Sequence, residues 1–351
     1  MNAIEQFLYD ILAGINSLVG NYGVAIIIFT VLMRMLIMPF DYKSRKGMKK
    51  MTLIQPKLNE LQRKYKDDPQ KLQQKQADLM RKEGYSPLSG CLPLLLTYPI
   101  MIAMFAAMRG IANEQLALQT FRYLAGEGNG TILSAADRFL WVKNIWMPDS
   151  VFVPVAPNAQ ALNMINAAMW NRAYGLLSEG QVQAIAKALA DAGQAALDFT
   201  TNDAARASVS SMLVALGQSA TYVADVAAVP GWSGLNFFLF SITLFQNPNG
   251  WLLLPALAGI SQVLQYKFNP AMNAQPQPQD QNGQASGMNN FMKYFFPILS
   301  VYFCLTSNAG FSVYWVTSTV CMWVQSIIIT KILEKQDAKN AQTTAGEGSI
   351  K

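Results

Sequence analysis

The run YGVAIIIFTVLMRMLIMPF (22–40) is the strongest structural signal in this chain. It is apolar almost throughout and nearly long enough to cross a bilayer core as a helix, yet it contains Arg34 near its inner end. Insertion scales put the cost of an arginine near mid-membrane at roughly 2.5–3.5 kcal/mol. Two interpretations are open: Arg34 snorkels to the inner interface, or it faces a wet cavity inside a helical bundle. Thr30, four residues earlier, shares its helix face.

The composition is typical of a membrane protein. Of the 351 residues, 52% are hydrophobic and 14% charged, whereas soluble domains carry about 25% charged residues. The net charge of +6 is unevenly placed, because thirteen of the 27 Lys and Arg residues lie within 41–84, beside six acids. A basic block next to a span marks the cytoplasmic side. Binding of nucleic acid explains this block less well, because it also carries apolar residues at helical spacing.

The chain contains no histidine and only three cysteines, Cys91, Cys304 and Cys321. Each lies in or beside an apolar run, where cysteine usually behaves as a small hydrophobic residue. Metal-ligand spacing, a nucleophile–base set and a phosphate loop are all absent from the sequence. We therefore expect no metal, no cofactor and no enzyme activity.

Hydropathy and helix-breaking residues predict an all-α membrane protein with five transmembrane helices, a cytoplasmic helical hairpin and an extracytoplasmic helical insert. The spans are predicted at 20–41, 87–108, within 236–267 (which comprises a short apolar stretch and the third span), 291–306 and 310–333. The remaining segments are an amphipathic surface helix at 1–19, the hairpin at 42–86, the extracytoplasmic segment at 109–235, a cytoplasmic loop at 268–290 and a disordered cytoplasmic tail at 334–351.

The hairpin prediction depends on an apolar stripe within the basic block and on the break KDDP (66–69), where Pro69 can begin a second helix. A merely solvated loop would need no such stripe. The amphipathic helix at 1–19 has no basic residue, which suits the outer face. We therefore expect a multi-pass protein of the bacterial plasma membrane, with its N-terminus outside and its C-terminus in the cytoplasm.

Polar side chains recur within the predicted spans and together suggest an aqueous groove. They are Thr30, Arg34, Thr97, Gln262, Gln265, Thr317, Ser318, Thr319 and Gln325. Singly, such residues often bond only their own backbone or a neighbouring helix. A pump or coupled transporter would need an acid or histidine at a span centre, and none is present there. A cation without a fixed counter-ion suits a transient acidic partner, such as carboxylates of a passing polypeptide.

Several long motifs occur together in the chain. In chain order they are Arg34 of the first span, QPKLNELQRKYKDDPQKL (55–72), EGYSPLSGCLPLLLTYPI (83–100), WVKNIWMPD (141–149), LQYKFNP (264–270) and NAGFSVYWVTS (308–318). With these motifs the chain resembles the YidC/Oxa/Alb family of membrane protein insertases, and is most like the YidC of Gram-positive bacteria. The resemblance covers 22–109 and 247–332. Residues 151–234 depart from it, because that region is short in most Gram-positive members.

The resemblance implies a five-helix core around a groove that is open to the cytoplasm and lipid but closed to the outside. It also implies that the hairpin receives incoming chains. The family's groove arginine falls on Arg34, and Thr97 and Thr319 stand where many members have Gln and Asn. The substrate groove expected from residues and resemblance together consists of Arg34, Thr30, Thr97, Gln262, Gln265, Tyr314, Trp315 and Thr319.

The function expected from these features is that of a membrane protein insertase and chaperone. It would take nascent hydrophobic segments from the cytoplasm into the bilayer, alone or with the Sec translocon, and the ribosome is a further expected partner. We expect no direct recognition of nucleic acid. A small-solute channel or transporter is the alternative, and a chaperone that holds membrane proteins without inserting them is a third interpretation. An internal repeat or an intramembrane acid would favour the channel.

Overall fold

The computed structural model describes residues 3–66, 68–84, 88–126, 133–237, 240–268 and 284–348, and most of them are helical. This confirms the predicted helical class. The α-helices of the described residues are α1 (Ala3–Val19), α2 (Tyr22–Lys64), α3 (Pro69–Lys82), α4 (Leu88–Ala125), α5 (Ala159–Leu162), α6 (Ala167–Tyr174), α7 (Glu179–Asp191), α8 (Asn202–Leu216), α9 (Ala220–Asp225), α10 (Leu253–Phe268), α11 (Gln284–Thr306) and α12 (Ala309–Gly348).

Among the described residues, two helical stretches are long and apolar enough to cross a membrane, Tyr22–Gly47 and Ala309–Lys339. The apolar stretch Lys293–Thr306 is shorter. The other predicted spans fall on α4, which continues far past residue 108, and on α10. The number of spans therefore stays a prediction, whereas the helical nature of these segments is observed.

The first predicted span does not end at residue 41. Helix α2 continues without interruption to Lys64, through Pro39 and Pro56. Each proline removes one backbone donor, a loss that neighbouring helices and polar side chains can offset in a membrane protein. The structure thus joins the predicted first span and the first arm of the predicted hairpin in one helix. After it, Asp68 caps α3 by accepting a hydrogen bond from the Lys71 amide at 3.1 Å.

The tail at 334–351 is helical up to Gly348, so the prediction of a disordered tail is wrong for that part. Its Ala, Lys, Gln and Glu residues are good helix formers, and no proline interrupts them. Contacts with α2 also hold its first turns. The Tyr42 hydroxyl donates to Gln336 Oε1 at 2.9 Å, and Lys49 forms an ion pair with Asp337.

A short β-ribbon lies before α10, where the sequence predicted only a short apolar stretch in an all-α protein. Strands β1 (Leu235–Phe237) and β2 (Phe240–Ile242) are antiparallel, with Leu235 opposite Ile242. The pairing continues beyond the strands, because the Leu244 amide donates to the Trp232 carbonyl at 2.9 Å. Aromatic and β-branched residues favour this extended form over a helix too short to cross a bilayer.

The described chain divides into two units. The first unit comprises 1–29, 103–258 and 301–315, and the second comprises 30–102, 259–300 and 316–351. Within the first unit, the residues from α5 to α9 form a helical insert whose core is aromatic. The rings of Trp170 and Phe199 stack with centroids 5.5 Å apart, and Phe121 meets Trp170 edge-on at 5.5 Å. Such pairs stabilise beyond their buried area.

The motif WVKNIWMPD (141–149) organises the first unit through hydrogen bonds. Asn249 is fully buried, and its amide nitrogen donates to three carbonyls of the motif, on Asn144, Met147 and Pro148, at 2.8–3.0 Å. Asp149 accepts the backbone amides of Trp251 and Leu254 at 2.7 Å each, and so caps α10. A Cβ at Gly250 would collide with the Asp149 carboxylate, so glycine is required there.

A buried carboxylate links three helices of the first unit. Glu114 on α4 is 2% exposed and lies 2.6 Å from Arg172 Nε on α6. It also accepts the Tyr9 hydroxyl of α1 at 2.6 Å, and the Arg172 guanidinium lies 4.7 Å from the Tyr9 ring centroid. The amphipathic N-terminal helix is therefore attached to the insert by specific polar contacts in addition to its buried Leu8 and Leu12.

Substituting Arg172→Ala should destabilise the first unit by roughly 2 kcal/mol, because it leaves the Glu114 charge buried without its cation. The cost is below that of a fully buried pair because the Arg172 side chain is 36% exposed. The double variant with Glu114→Gln should recover part of the loss. Urea unfolding in detergent measures both, and the exposed Arg206→Ala is the matched control. Equal losses in the single and double variants would contradict this account.

Stability should fall as the pH rises above 10, because buried tyrosines of the first unit resist ionisation. Burial raises the pKa of Tyr222 from 10.0 to about 12, and burial and a hydrogen bond to Asp225 raise that of Tyr123. A pKa raised in the folded state stabilises fully below the unfolded value and is lost as the pH rises through the folded value. The free energy of unfolding, followed by circular dichroism from pH 9 to 12, should decline less in Tyr222→Phe. Identical pH profiles for the two proteins would argue against it.

Candidate functional site

Arg34 of α2 is buried in the second unit, with 9% of its surface exposed. Its Nε donates to the Ser318 hydroxyl of α12 at 2.9 Å, and its Nη2 donates to the same oxygen. Among the described residues it forms no ion pair. A hydroxyl satisfies donors of the guanidinium without neutralising its charge, so the positive charge stays available to a partner that brings an anion.

Gln325 adds a second polar contact between the same two helices. Its Nε2 donates to the Arg34 backbone carbonyl at 2.7 Å, while its Oε1 is buried without a hydrogen-bond partner in the described part of the chain. Ser318 and Gln325 are seven residues apart and therefore share one face of α12. Thr30, one turn before Arg34 on α2, is 1% exposed. Polar groups thus accumulate where α2 faces α12.

Helix α10 meets the neighbouring position of α12. Gln262 Nε2 lies 3.5 Å from the Thr319 hydroxyl, at the limit of a hydrogen bond, and Thr319 is 2% exposed. Gln265, also on α10, is half-buried. Since Ser318 contacts α2 and Thr319 contacts α10, adjacent residues of α12 connect the polar side chains of two other helices.

The predicted groove has three further residues, Thr97, Tyr314 and Trp315. Thr97 belongs to α4, and its side chain is outside the part of the chain that the structure describes. Tyr314 and Trp315 belong to the first unit, where both pack against Phe311, with ring centroids 6.2 Å and 5.6 Å away. Tyr314 is buried and Trp315 half-buried. This aromatic pair is part of an apolar cluster in that unit.

A further polar group on α2 was not in the predicted site. The Arg45 guanidinium donates to the Ser326 hydroxyl of α12 at 2.6 Å. Ser44, beside it, is 2% exposed, and its hydroxyl has no hydrogen-bond partner among the described residues. Seven-residue spacings on α12, from Ser318 to Gln325 and from Thr319 to Ser326, were the signal available in the sequence.

The first unit contains a separate cleft of about 290 Å³. Its walls include Phe105, Arg109, Asn158, Asn308 and Phe311, so it is lined by apolar and amide groups with one cation. The Arg109 guanidinium lies 5.2 Å from the Phe105 ring centroid. None of the predicted groove residues lines this cleft.

The polar groups of the second unit can bind and solvate, but they offer little for covalent chemistry. They supply a guanidinium, hydroxyls and amides, without a nucleophile paired with a base. Within the described residues no group of three or more His, Cys, Asp or Glu side chains could hold a metal ion. The arrangement therefore suits transient binding of a polar or acidic segment next to apolar helices.

Comparison with known proteins identifies the family. The model of the 60Kd inner membrane protein family matches residues 14–191 and 210–337, which is most of the chain. The membrane protein insertase YidC of Pelodictyon phaeoclathratiforme is 36% identical over 148 residues, which are 42% of this chain and 22% of that protein. The YidC of Clostridium tetani is 34% identical over 163 residues, which are 45% of this chain and 65% of that protein.

Several of these relatives are much longer than the region that they share with this chain. In the Chlorobium limicola YidC, the shared region is 22% of that protein and is 35% identical to this chain. The family match nevertheless includes Arg34, residues 42–86 and α12 up to residue 337. The chain therefore belongs to the 60Kd inner membrane protein family, the family of the YidC membrane protein insertases.

Proposed function

We propose that this chain is a bacterial membrane protein insertase, which moves nascent hydrophobic segments from the cytoplasm into the lipid bilayer. Membership of the insertase family supports this proposal. The observation that carries it is the buried Arg34, whose side chain is held by the Ser318 hydroxyl instead of a carboxylate. A fixed acid would neutralise the site, whereas a hydroxyl leaves the charge for a passing polar segment.

The proposed topology has five spans, with the N-terminus outside and the C-terminus in the cytoplasm. The concentration of basic residues in 41–84 supports a cytoplasmic position for this region. The ion pair of Lys57 with Glu83, at 2.6 Å, supports a hairpin in which α3 folds back on the last part of α2. Ile54 and Leu58 in the same part of α2 are both buried, as the apolar side of such a hairpin would be.

In the proposed mechanism a client meets the hairpin first and then enters the groove with its polar flank leading. Arg34, Thr30, Thr97, Gln262, Gln265 and Thr319 solvate the flank, while Tyr314 and Trp315 contact apolar parts of the client. The apolar segment then leaves between helices into lipid. Its transfer is driven by about 25 cal/mol for each Å² of apolar surface removed from water. The groove lowers only the barrier for the flank.

No covalent step is needed in this mechanism, so the protein acts without enzyme chemistry or a cofactor. Its proposed partners are nascent membrane proteins and the bilayer, with the Sec translocon and the ribosome as further partners. A small-solute channel or transporter, the alternative drawn from the sequence, is favoured by no contact in the described residues. The chaperone interpretation uses the same groove, and insertion assays separate it from insertion.

Arg34→Ala should reduce insertion of a single-span client with an acidic leading flank about tenfold, and of one with a neutral flank less, because only the acidic flank gains from the charge. The purified chain in liposomes, scored by protease protection of the client, provides the measurement. Arg34→Lys should retain much of the activity if charge alone matters. Full activity of Arg34→Ala with acidic flanks would eliminate the role of the charge, and no protection by the wild type would eliminate insertion by this chain alone.

Ser318→Asp should reduce insertion of clients with acidic flanks as strongly as Arg34→Ala does, because it gives Arg34 a fixed carboxylate in place of a hydroxyl. The isosteric control Ser318→Asn adds the same bulk without the charge and should inhibit less. Both are compared with the wild type in the same protection assay. Equal inhibition by Asn and Asp would indicate a steric effect and would count against the neutral-partner argument.

A further inference from the structure

Helix α2 carries three charged residues on one face. Arg34, Asp41 and Arg45 are spaced by seven and four residues, which places them within about 40° of one another around the helix axis. Both arginines reach α12, where they meet Ser318 and Ser326, eight residues apart. All these residues belong to the second unit. The face of α2 toward α12 is therefore a charged line that extends from Arg34 to Arg45.

Arg45 repeats the arrangement found at Arg34. Its guanidinium donates to the Ser326 hydroxyl at 2.6 Å, and Ser326 is fully buried. Among the described residues Arg45 forms no ion pair. The neighbouring Ser44 hydroxyl is 2% exposed and without a hydrogen-bond partner in the described part of the chain. A cation whose partner is a neutral hydroxyl keeps its charge and is therefore suited to bind an anionic group.

Asp41 lies between the two arginines along the helix. It is half-buried and one turn from Arg45, and it interacts electrostatically with both Arg34 and Arg45. It forms no ion pair within 4.0 Å in the described residues. Two cations and one anion leave a net charge of +1 on this face. Asp41 therefore weakens the positive potential along this face of α2 without forming an ion pair with Arg34 or Arg45 in the described residues.

We propose that Arg45 is a second anion-binding step, on the cytoplasmic side of Arg34, for acidic side chains in the polar flank of a client, and that Asp41 limits the preference for acidic flanks. This inference rests on the proposed insertase function. A client carboxylate would meet Arg45 first and Arg34 eleven residues further along α2. The step at Arg45 is a binding step, and no bond is made or broken.

The contacts favour an acidic peptide over a lipid phosphate as the partner of Arg45. The guanidinium is turned toward α12, where its acceptor Ser326 has no exposed surface. An arginine that served the lipid headgroups would extend its charged end toward the membrane surface. The buried Ser44 hydroxyl lies beside Arg45 in sequence and is likewise closed to solvent. A polypeptide side chain that passes between helices can reach the Arg45 guanidinium there.

The test uses proteoliposomes with the full chain and two single-span clients, whose leading flanks carry either three Asp or three Asn residues. Arg45→Ala should lower insertion of the acidic client about fivefold relative to the neutral client, the effect of a charge interaction of roughly 1 kcal/mol. Arg45→Lys should recover most of that loss. Asp41→Asn should act in the opposite direction and raise the acidic-to-neutral ratio. The matched control is Arg206→Ala, because Arg206 is an exposed arginine of the insert.

The outcomes separate the inference from the function on which it rests. If the wild type inserts neither client, the insertase function is refuted. If the wild type is active but Arg45→Ala leaves the acidic-to-neutral ratio of insertion unchanged, only the second binding step is refuted. An equal fall for both clients would assign Arg45 a structural role and overturn the proposal. A fivefold effect that disappears in vesicles of zwitterionic lipid alone would assign Arg45 to anionic lipid. A ratio that falls in Arg45→Ala and rises in Asp41→Asn, in both kinds of vesicle, supports it.

Discussion

The desolvation of Arg34 is the constraint on which the second unit depends. A guanidinium with 9% of its surface exposed must exchange its water for hydrogen-bond acceptors of the protein, because an unsatisfied buried charge destabilises the fold. Ser318 of α12 meets this requirement by accepting from the Arg34 side chain, and Gln325 of the same helix adds a hydrogen bond to the Arg34 backbone carbonyl. Both partners are neutral. The helix pair is thereby held together while the charge is kept, which is the condition for binding a transient anion.

The continuity of α2 connects this site to the basic hairpin region. Residues 30–64 of the helix belong to the second unit. In chain order they include the buried Arg34, then Asp41 and Arg45, and then the buried Ile54 and Leu58. A single hydrogen-bonded helix keeps these groups in fixed register, 1.5 Å of rise for each residue. Residues 46–64 are therefore connected to Arg45 and Arg34 through one continuous helix.

The first unit is stabilised by different interactions. Its buried polar groups are paired through amides and carboxylates, such as Asn249 with the carbonyls of the WVKNIWMPD motif and Glu114 with Arg172. Its insert has an aromatic core of its own around Trp170. Hydrogen-bonded polar networks of this kind favour one arrangement, because an alternative would leave more buried groups unpaired. The insert of the first unit has no long apolar run. Its fold therefore depends on specific polar and aromatic contacts in addition to the burial of apolar surface.

Local pattern sufficed for the helical class, the charged block, the helix start at Pro69 and the choice of Arg34, because each depends on residues close together in the chain. Local pattern failed where contacts between separate parts of the chain determine the structure. The tail is helical beside Tyr42 and Lys49, and the stretch before α10 pairs as two strands. Helix α2 continues through two prolines. The partners of Arg34 lie 284 and 291 residues away. Sequence thus determined which residue needs a partner, and only the packing of α2 on α12 decided that the partners are Ser318 and Gln325, since hydrogen bonds between helices depend on register in space.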